Sequence, residues 1–253
     1  KGERFKAGGR VVKNVTGYDL PKLAAGSFGT LFAMTELTLR AVPRGTATLV
    51  LAREDKDPAA ALKTLRDVAS SPFEPSGLVH LSAPIAERLT GAARALTLIR
   101  LEGQGEGVDA RAAELTRSIA ARARAFDRDD GARLFRAVAD VHPMFEQTTT
   151  LWRLSIPPSR AFETITRLNP ATWCADAAGG ILWLAFVDAM DAAHVHATAR
   201  DLGGHATLYR AGEALTDQVF PPLEAPALDL TARVKQAFDP ARILNPGRMY
   251  KDV

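Results

Sequence analysis

Ala47-Thr48-Leu49-Val50-Leu51-Ala52-Arg53 leads through Asp57-Pro58 into a segment whose apolar residues Ala61, Leu62, Leu65, Val68 and Ala69 recur at helical spacing. The first run reads as a strand. Asp57 is placed to cap the helix that follows, and Pro58 sits in its first turn, where a missing N–H leaves no hydrogen bond unmade. Strands near 76–82 and 95–102 come next, joined by a short helical connection from Pro84 to Leu89. A helix over 108–124, with Ala112, Leu115, Ile119 and Ala123 on one face, and an extended piece near Phe126 complete the order β-α-β-β-α-β.

Residues 149–210 repeat that order. A strand at 149–156 precedes a helix from Ser159 with Phe162, Ile165 and Leu168 inward. Strands near 171–177 and 180–187 form a hairpin around Ala178-Gly179-Gly180. A helix near 190–202 turns Ala192, Val195, Ala199 and Leu202 inward and stops at Gly203, before a strand at 205–210. Two split βαβ units in tandem predict an α+β, ferredoxin-like duplication. Its sheet is mostly antiparallel, with helices packed on one face and a helical linker at 132–145.

Outside this repeat lie two flanks. Residues 1–44 are glycine-rich, with a short strand at Val11-Val12, a short helix from Tyr18 to Ala25 and a strand from Leu31 to Val42. Pro43-Arg44-Gly45 breaks the chain. Residues 211–253 begin Pro-rich (Pro221, Pro222, Pro226), continue as a helix at 228–237 and end Phe238-Asp239-Pro240-Ala241-Arg242-Ile243-Leu244-Asn245-Pro246-Gly247-Arg248-Met249-Tyr250, too apolar to dangle freely. The expected division is therefore 1–44, 45–210 and 211–253. The opening Lys1-Gly2-Glu3-Arg4-Phe5 reads as the middle of a strand-turn-strand unit, so a cut is expected there.

With 253 residues, 47% hydrophobic and 24% charged, the chain has the composition of a globular protein. No apolar run approaches the ~20 residues of a membrane helix. The single cysteine, Cys174, excludes an internal disulfide framework and fits a reducing compartment. A net charge of +3 with 7% aromatic residues gives no basic cluster with interleaved aromatics, so nucleic-acid binding is not expected.

Gly26-Ser27-Phe28-Gly29-Thr30-Leu31 is the strongest local signal for chemistry. Glycines let a backbone take positive φ and offer amide donors at close range, and Ser27 and Thr30 add hydroxyls, a set suited to a phosphate or the polar edge of a flat ring. A tight helix-to-strand turn that simply requires glycine is the stronger reading on spacing alone. The turn is neither G-x-G-x-x-G nor a Walker loop. Residues 8–20 crowd Gly8, Gly9 and Gly17 beside Lys13, Asn14 and Tyr18, which either cap turns or face a ligand. His194 and His196 stand i,i+2 on a helix, about 200° apart, and cannot share an ion. His205 could approach them, but no third ligand converges. His80 and His142 are isolated, so no metal site is expected. Cys174 reads as a small buried hydrophobe. Ser27 as a nucleophile lacks a locatable base, and no catalytic acid or base is readable.

Gly9 to Leu20, then Ala25 to Leu31 and Thr35-Glu36-Leu37-Thr38-Leu39, resemble the second half of a PCMH-type FAD-binding domain of the vanillyl-alcohol oxidase superfamily. Within it the likeness is to the FAD-binding small subunits of bacterial glycolate oxidases. Their tail pattern is similar to Asp239-Pro240 and Asn245-Pro246-Gly247-Arg248 here, and Leu151-Trp152-Arg153-Leu154-Ser155 resembles part of their C-terminal domain. The resemblance covers the two ends closely and the middle loosely. It implies that Gly26, Ser27, Gly29, Thr30 and Leu31 lie against FAD, that Asn14 and Tyr18 line the same cavity, and that Asn245 returns to the flavin. The family's first half, with the loop that wraps the pyrophosphate, is expected to precede Lys1. This stretch alone is therefore expected not to retain FAD and to be inactive. The His-rich metal motif of the larger, catalytic-type relatives has no match here.

The implied function is a subunit of a flavin-dependent oxidase that converts glycolate to glyoxylate. Its implied partners are a larger FAD-containing catalytic subunit and an iron–sulfur subunit, in the cytoplasm or peripheral to the inner membrane through those partners. Two alternatives stand beside it: a non-catalytic structural or electron-relay subunit, and a D-lactate or alcohol oxidase of the same superfamily.

Overall fold

The computed structural model describes residues 2–11, 17–146, 148–211 and 218–251. They form two compact units, Lys1–Val42 with Pro222–Val253, and Pro43–Pro221. In chain order the elements are α1 (Leu20–Ala24), β1 (Ala47–Glu54), α2 (Pro58–Ala69), β2 (Gly77–Leu81), α3 (Ala83–Thr90), β3 (Leu96–Gly103), α4 (Gly105–Ser118), β4 (Arg124–Ala125) and α5 (Arg128–Asp140). There follow β5 (Thr150–Ser155), α6 (Ala161–Leu168), β6 (Thr172–Asp176), β7 (Ile181–Phe186), α7 (Ala192–Asp201), β8 (His205–Arg210) and α8 (Ala225–Phe238).

The larger unit is built on one eight-stranded antiparallel sheet, ordered β4-β1-β3-β2-β6-β7-β5-β8. Each half has the ferredoxin-like order, and the second half runs as the mirror of the first. They join at β2 and β6 through the pairs His80–Ala175 and Leu81–Cys174. Local chemistry starts the helices where the sequence places them. Asp57 accepts from the Ala59 amide at 2.9 Å and Asp191 from the Ala193 amide at 3.0 Å.

Alternation along the strands divides the core in two. Leu51, Ile99, Leu101, Trp152, Leu154, Leu182 and Leu184 face α2, α4, α6 and α7, the four helices of the repeat. Val50, Val79, Leu98, Leu151 and Trp183 face the other way, where Ile85 of α3, Leu134, Phe135 and Val138 of α5, and Met144 and Phe145 cover them. The linker segment thus does more than connect: it supplies a second layer. Unbroken apolar runs such as Leu182-Trp183-Leu184-Ala185 mark strands covered on both faces.

Several boundaries differ from expectation. The helix expected over 108–124 ends at Ser118, and Arg122 at φ +70° turns the chain toward β4. Phe162 is exposed, because Ala161, Thr164, Ile165 and Leu168 form the inward i, i+3, i+4, i+7 stripe. Ala69 is likewise exposed. α8 starts at Ala225, with Pro226 in its first turn. Residues 33–42 form no strand: no described strand pairs with them, and Leu37, Leu39 and Val42 are 64%, 84% and 74% exposed. Val11 is exposed in a bend, and its expected partner in a strand, Val12, lies outside the described residues.

Gly204, where α7 hands over to β8, has no room for a side chain. A Cβ there would sit 2.2 Å from the Ser155 carbonyl oxygen and 2.6 Å from Ile156 Cγ2. Gly204→Ala is expected to lower the unfolding free energy of the larger unit by about 1–3 kcal/mol, read from urea denaturation; an unchanged midpoint would refute the clash.

Candidate functional site

The glycine turn belongs to the smaller unit. Pro21 lies in the first turn of α1, and Asp19 caps that helix by accepting from the Lys22 amide at 3.2 Å. The chain then passes through Gly26 at φ +84°, Phe28 at +51° and Gly29 at +71°. The Ser27 carbonyl oxygen accepts from both the amide of Thr30 (3.0 Å) and its hydroxyl (2.7 Å). Ser27 donates its own amide to the Ala24 carbonyl at 3.1 Å. Thr30 and Leu31 are buried, and the threonine hydroxyl is spent within the turn. Gly26 and Gly29 are exposed and Ser27 half-buried; no atom stands within 4 Å of where a Gly26 Cβ would be.

From the far end of the sequence the tail returns to this turn. Asn245 Nδ2 donates to the Phe28 carbonyl at 3.0 Å and lies 3.4 Å from the Gly29 carbonyl. A Cβ on Gly29 would meet that nitrogen at 2.9 Å, so glycine is required both for the positive φ and for this approach. Beside it, Lys235 on α8 is 1% exposed. Its Nζ donates at 2.7 Å to each of three acceptors: the Thr30 carbonyl, the Leu244 carbonyl and Asp239 Oδ2. All three ammonium protons are thereby used. Asp239 also accepts from the amides of Ile243 (3.2 Å) and Leu244 (2.9 Å). The lysine hydrogen bond, aided by those amides, holds its carboxyl below the usual range. Phe5, Phe32 and Phe238 cluster in the same unit, Phe32 lying 5.3 Å from each of the other two rings.

The structure therefore joins Asn245 to the Gly26–Leu31 turn. Tyr18 is 95% exposed, with nothing packed on its ring, and Asn14 lies outside the described residues. Sequence reasoning missed Lys235 and Asp239. Their i,i+4 spacing at the end of a helix, ahead of an apolar tail, was the available signal.

In the larger unit, His80 is buried, 5.1 Å from Trp173 in a stacked arrangement. The Thr97 hydroxyl donates to Asp55, so Thr97 Oγ1 must accept from His80 Nδ1, 3.0 Å away. That fixes the neutral Nδ1–H tautomer and leaves Nε2 without a partner among the described atoms. Burial is the main cause that lowers the His80 pKa to about 4; Asp55 opposes it and Arg53 reinforces it. His196 is held at Nε2, 3.1 Å from the Gln218 carbonyl, and burial lowers its pKa too. Burial raises the Cys174 thiol well above its ordinary value. Among the described residues no group of three His, Cys, Asp or Glu side chains could hold a metal ion.

Comparison with known proteins finds relatives along the chain. The family described as FAD linked oxidases, C-terminal domain, matches residues 222–249, the span that contains Lys235, Asp239 and Asn245. The chain is 32% identical over 256 residues to glycolate oxidase subunit GlcE of Escherichia coli (strain K12), across 100% of this chain and 63% of that protein. It is 28% identical over 292 residues to glycolate oxidase subunit GlcD of Bacillus subtilis (strain 168), across 98% of this chain and 61% of that one. It thus spans less than two thirds of the length of these relatives.

Among solved structures, substrate-bound p-cresol methylhydroxylase superposes with a TM-score of 0.58 at 16% identity, over 83% of this chain and 54% of that one. The isoeugenol complex of 4-ethylphenol oxidase from Gulosibacter chungangensis gives 0.54 at 16% identity, over 83% and 55%. Alkyldihydroxyacetonephosphate synthase gives 0.54 at 11% identity, over 93% and 50%. At these identities the solved structures establish a shared fold. In its tail the chain is similar to FAD-linked oxidases, and along its whole length it is similar to glycolate oxidase subunits.

Proposed function

We propose that this chain forms one wall of the FAD site in a glycolate oxidase-type assembly that oxidises a 2-hydroxy acid to the 2-oxo acid. The observation that carries this reading is the Gly26–Leu31 turn: its carbonyls are fastened to the tail while Gly26 and Gly29 stay open. An open positive-φ backbone of this kind fits a pyrophosphate oxygen or the polar edge of a flavin ring. FAD would supply the two-electron acceptor chemistry. Gly26, Ser27 and Gly29 are the direct contacts of the proposal, with Asn14 and Tyr18 beside them; Thr30, Asn245 and the side chain of Leu31 shape the wall from behind. Lys235 and Asp239 are spent on each other and on backbone, so neither is offered as acid or base for the hydroxy acid.

The exposed Met34, Leu37, Leu39 and Val42 call for a covering surface. The proposed partners are a larger FAD-containing subunit and an iron–sulfur subunit that takes the electrons. The proposed location is cytoplasmic, or peripheral to the inner membrane through those partners. Among the described residues no helix is long and apolar enough to cross a membrane. A supporting, non-catalytic role within such a complex is favoured by one observation: the buried lysine–aspartate pair is fully engaged in structure.

Flavin fluorescence during FAD titration tests the proposal. The chain alone is expected to show no saturable change. The chain joined to the portion of its relatives that it does not span is expected to bind, and Gly29→Val to weaken that binding by about tenfold or more, or 1.4 kcal/mol. Stoichiometric binding that Gly29→Val leaves unchanged would remove the turn from the site. A panel of hydroxy acids on the assembled complex decides the substrate: turnover of D-lactate but not glycolate would replace glycolate.

A further inference from the structure

We infer that the C-terminal tail sets the direction in which the Gly26–Leu31 turn presents its amides, with Lys235 and Asn245 as positioning residues for the cofactor wall; this rests on the flavin reading above. Three successive carbonyls of the turn face donors from the tail. Phe28 O and Gly29 O face Asn245 Nδ2, and Thr30 O accepts from Lys235 Nζ. In a planar trans peptide the C=O of one residue and the N–H of the next point in opposite directions. Drawing those carbonyls toward the tail therefore turns the amides of Gly29, Thr30 and Leu31 away from it.

The Thr30 amide is consumed inside the turn by the Ser27 carbonyl. Those of Gly29 and Leu31 donate to no described residue, and by the inference they are left as donors on the side of the turn away from the tail. Unpaired amide donors oriented alike are a receptor for anionic or carbonyl oxygens. Their direction depends on groups more than 200 positions away in sequence. Lys235 is suited to this because a compact ammonium satisfies three acceptors at once, which the planar fork of arginine cannot do in the same space. Asn245 is suited because its amide nitrogen can face two carbonyls; aspartate, of the same shape, would set an oxygen against both.

Two variants separate orientation from mere folding. Lys235→Met keeps most of the length of the side chain and removes the donors. Asn245→Asp changes an exposed residue without changing its shape, so it remains informative should the first variant fail to fold. Hydrogen–deuterium exchange of the peptide spanning 27–31 is expected to quicken about tenfold in each, while peptides from β2 and β7 keep their protection. In the joined chain, FAD dissociation constants are expected to rise about tenfold, with the melting temperature of the larger unit unchanged. Wild-type exchange rates in Asn245→Asp would overturn the inference, as would faster exchange with FAD affinity held within about twofold of wild type. Faster exchange with no FAD binding by any form would keep the tail's hold on the turn and discard the flavin reading, so the two failures are distinguishable.

Discussion

Trp152→Ala is expected to lower the unfolding free energy of the larger unit by about 3–5 kcal/mol, the largest single-residue effect foreseen for this chain. Trp152 sits in β5 between β7 and β8 and is 0% exposed. Its ring meets His196 edge to face at 5.2 Å and packs into the same core as Leu154, Leu184 and Val195. Its indole nitrogen has no hydrogen-bond partner among the described atoms, so truncation sacrifices packing and leaves no acceptor stranded. Trp152→Phe, which retains an aromatic ring, is expected to recover more than half of the loss. Guanidinium unfolding followed by circular dichroism measures both. A deficit below about 1 kcal/mol for Trp152→Ala would mean that the core closes around the gap, contrary to its packing.

The second large effect is loss of stability in acid. His80 carries a folded pKa of about 4 against an ordinary 6.5, because burial disfavours its charged form. The unfolded chain therefore binds the extra proton first. Stability is at full value above pH 6.5, falls as the pH drops from 6.5 to 4, and stays reduced below that. The difference amounts to about 3 kcal/mol from this histidine. The structural cause is visible: a proton added to Nε2 would be a buried donor with nothing to receive it. His196, also lowered by burial, acts in the same sense. Asp239 adds a further loss lower on the scale, in the smaller unit. Its carboxyl is held below the usual value chiefly by the Lys235 hydrogen bond, so its stabilisation is present above the unfolded carboxylate pKa and disappears as pH falls through the folded one. His80→Asn keeps a donor for Thr97 without the titration. It should flatten the slope between pH 6.5 and 4 in urea melts of the larger unit; a slope identical to wild type would show that His80 does not cause it.

What the sequence made legible was local. Asp57-Pro58 marked the start of α2, Gly203 the end of α7, and alternating strands the duplicated order, since each signal acts within a few residues. The second helical layer was harder to see. α5 was expected as a linker, and only the unbroken apolar run of β7 hinted that the sheet is covered twice. Phe162 misled because a large apolar residue outweighs Thr164 in any count of hydrophobic spacing. Yet Thr164 turns inward by donating its hydroxyl to the Arg160 carbonyl at 2.9 Å. At the candidate site the glycines were conspicuous, whereas Lys235 drew no reading of its own within the helix expected at 228–237. Its role depends on a carbonyl 205 positions away, a distance over which no local pattern speaks. The stretch 31–42 has strand-like alternation, but a strand is defined by its neighbour, and alternation cannot supply one.

That same separation imposes a schedule on biosynthesis. Thr30 leaves the ribosome long before Lys235 is made, and at roughly 5–20 residues per second the interval is on the order of 10–40 s. The sheet of the larger unit lies between the two in sequence and is complete in the nascent chain before Lys235 or Asn245 exists. The glycine turn therefore waits unfastened while the intervening sheet is made, and takes its final orientation only after Lys235 and Asn245 have followed.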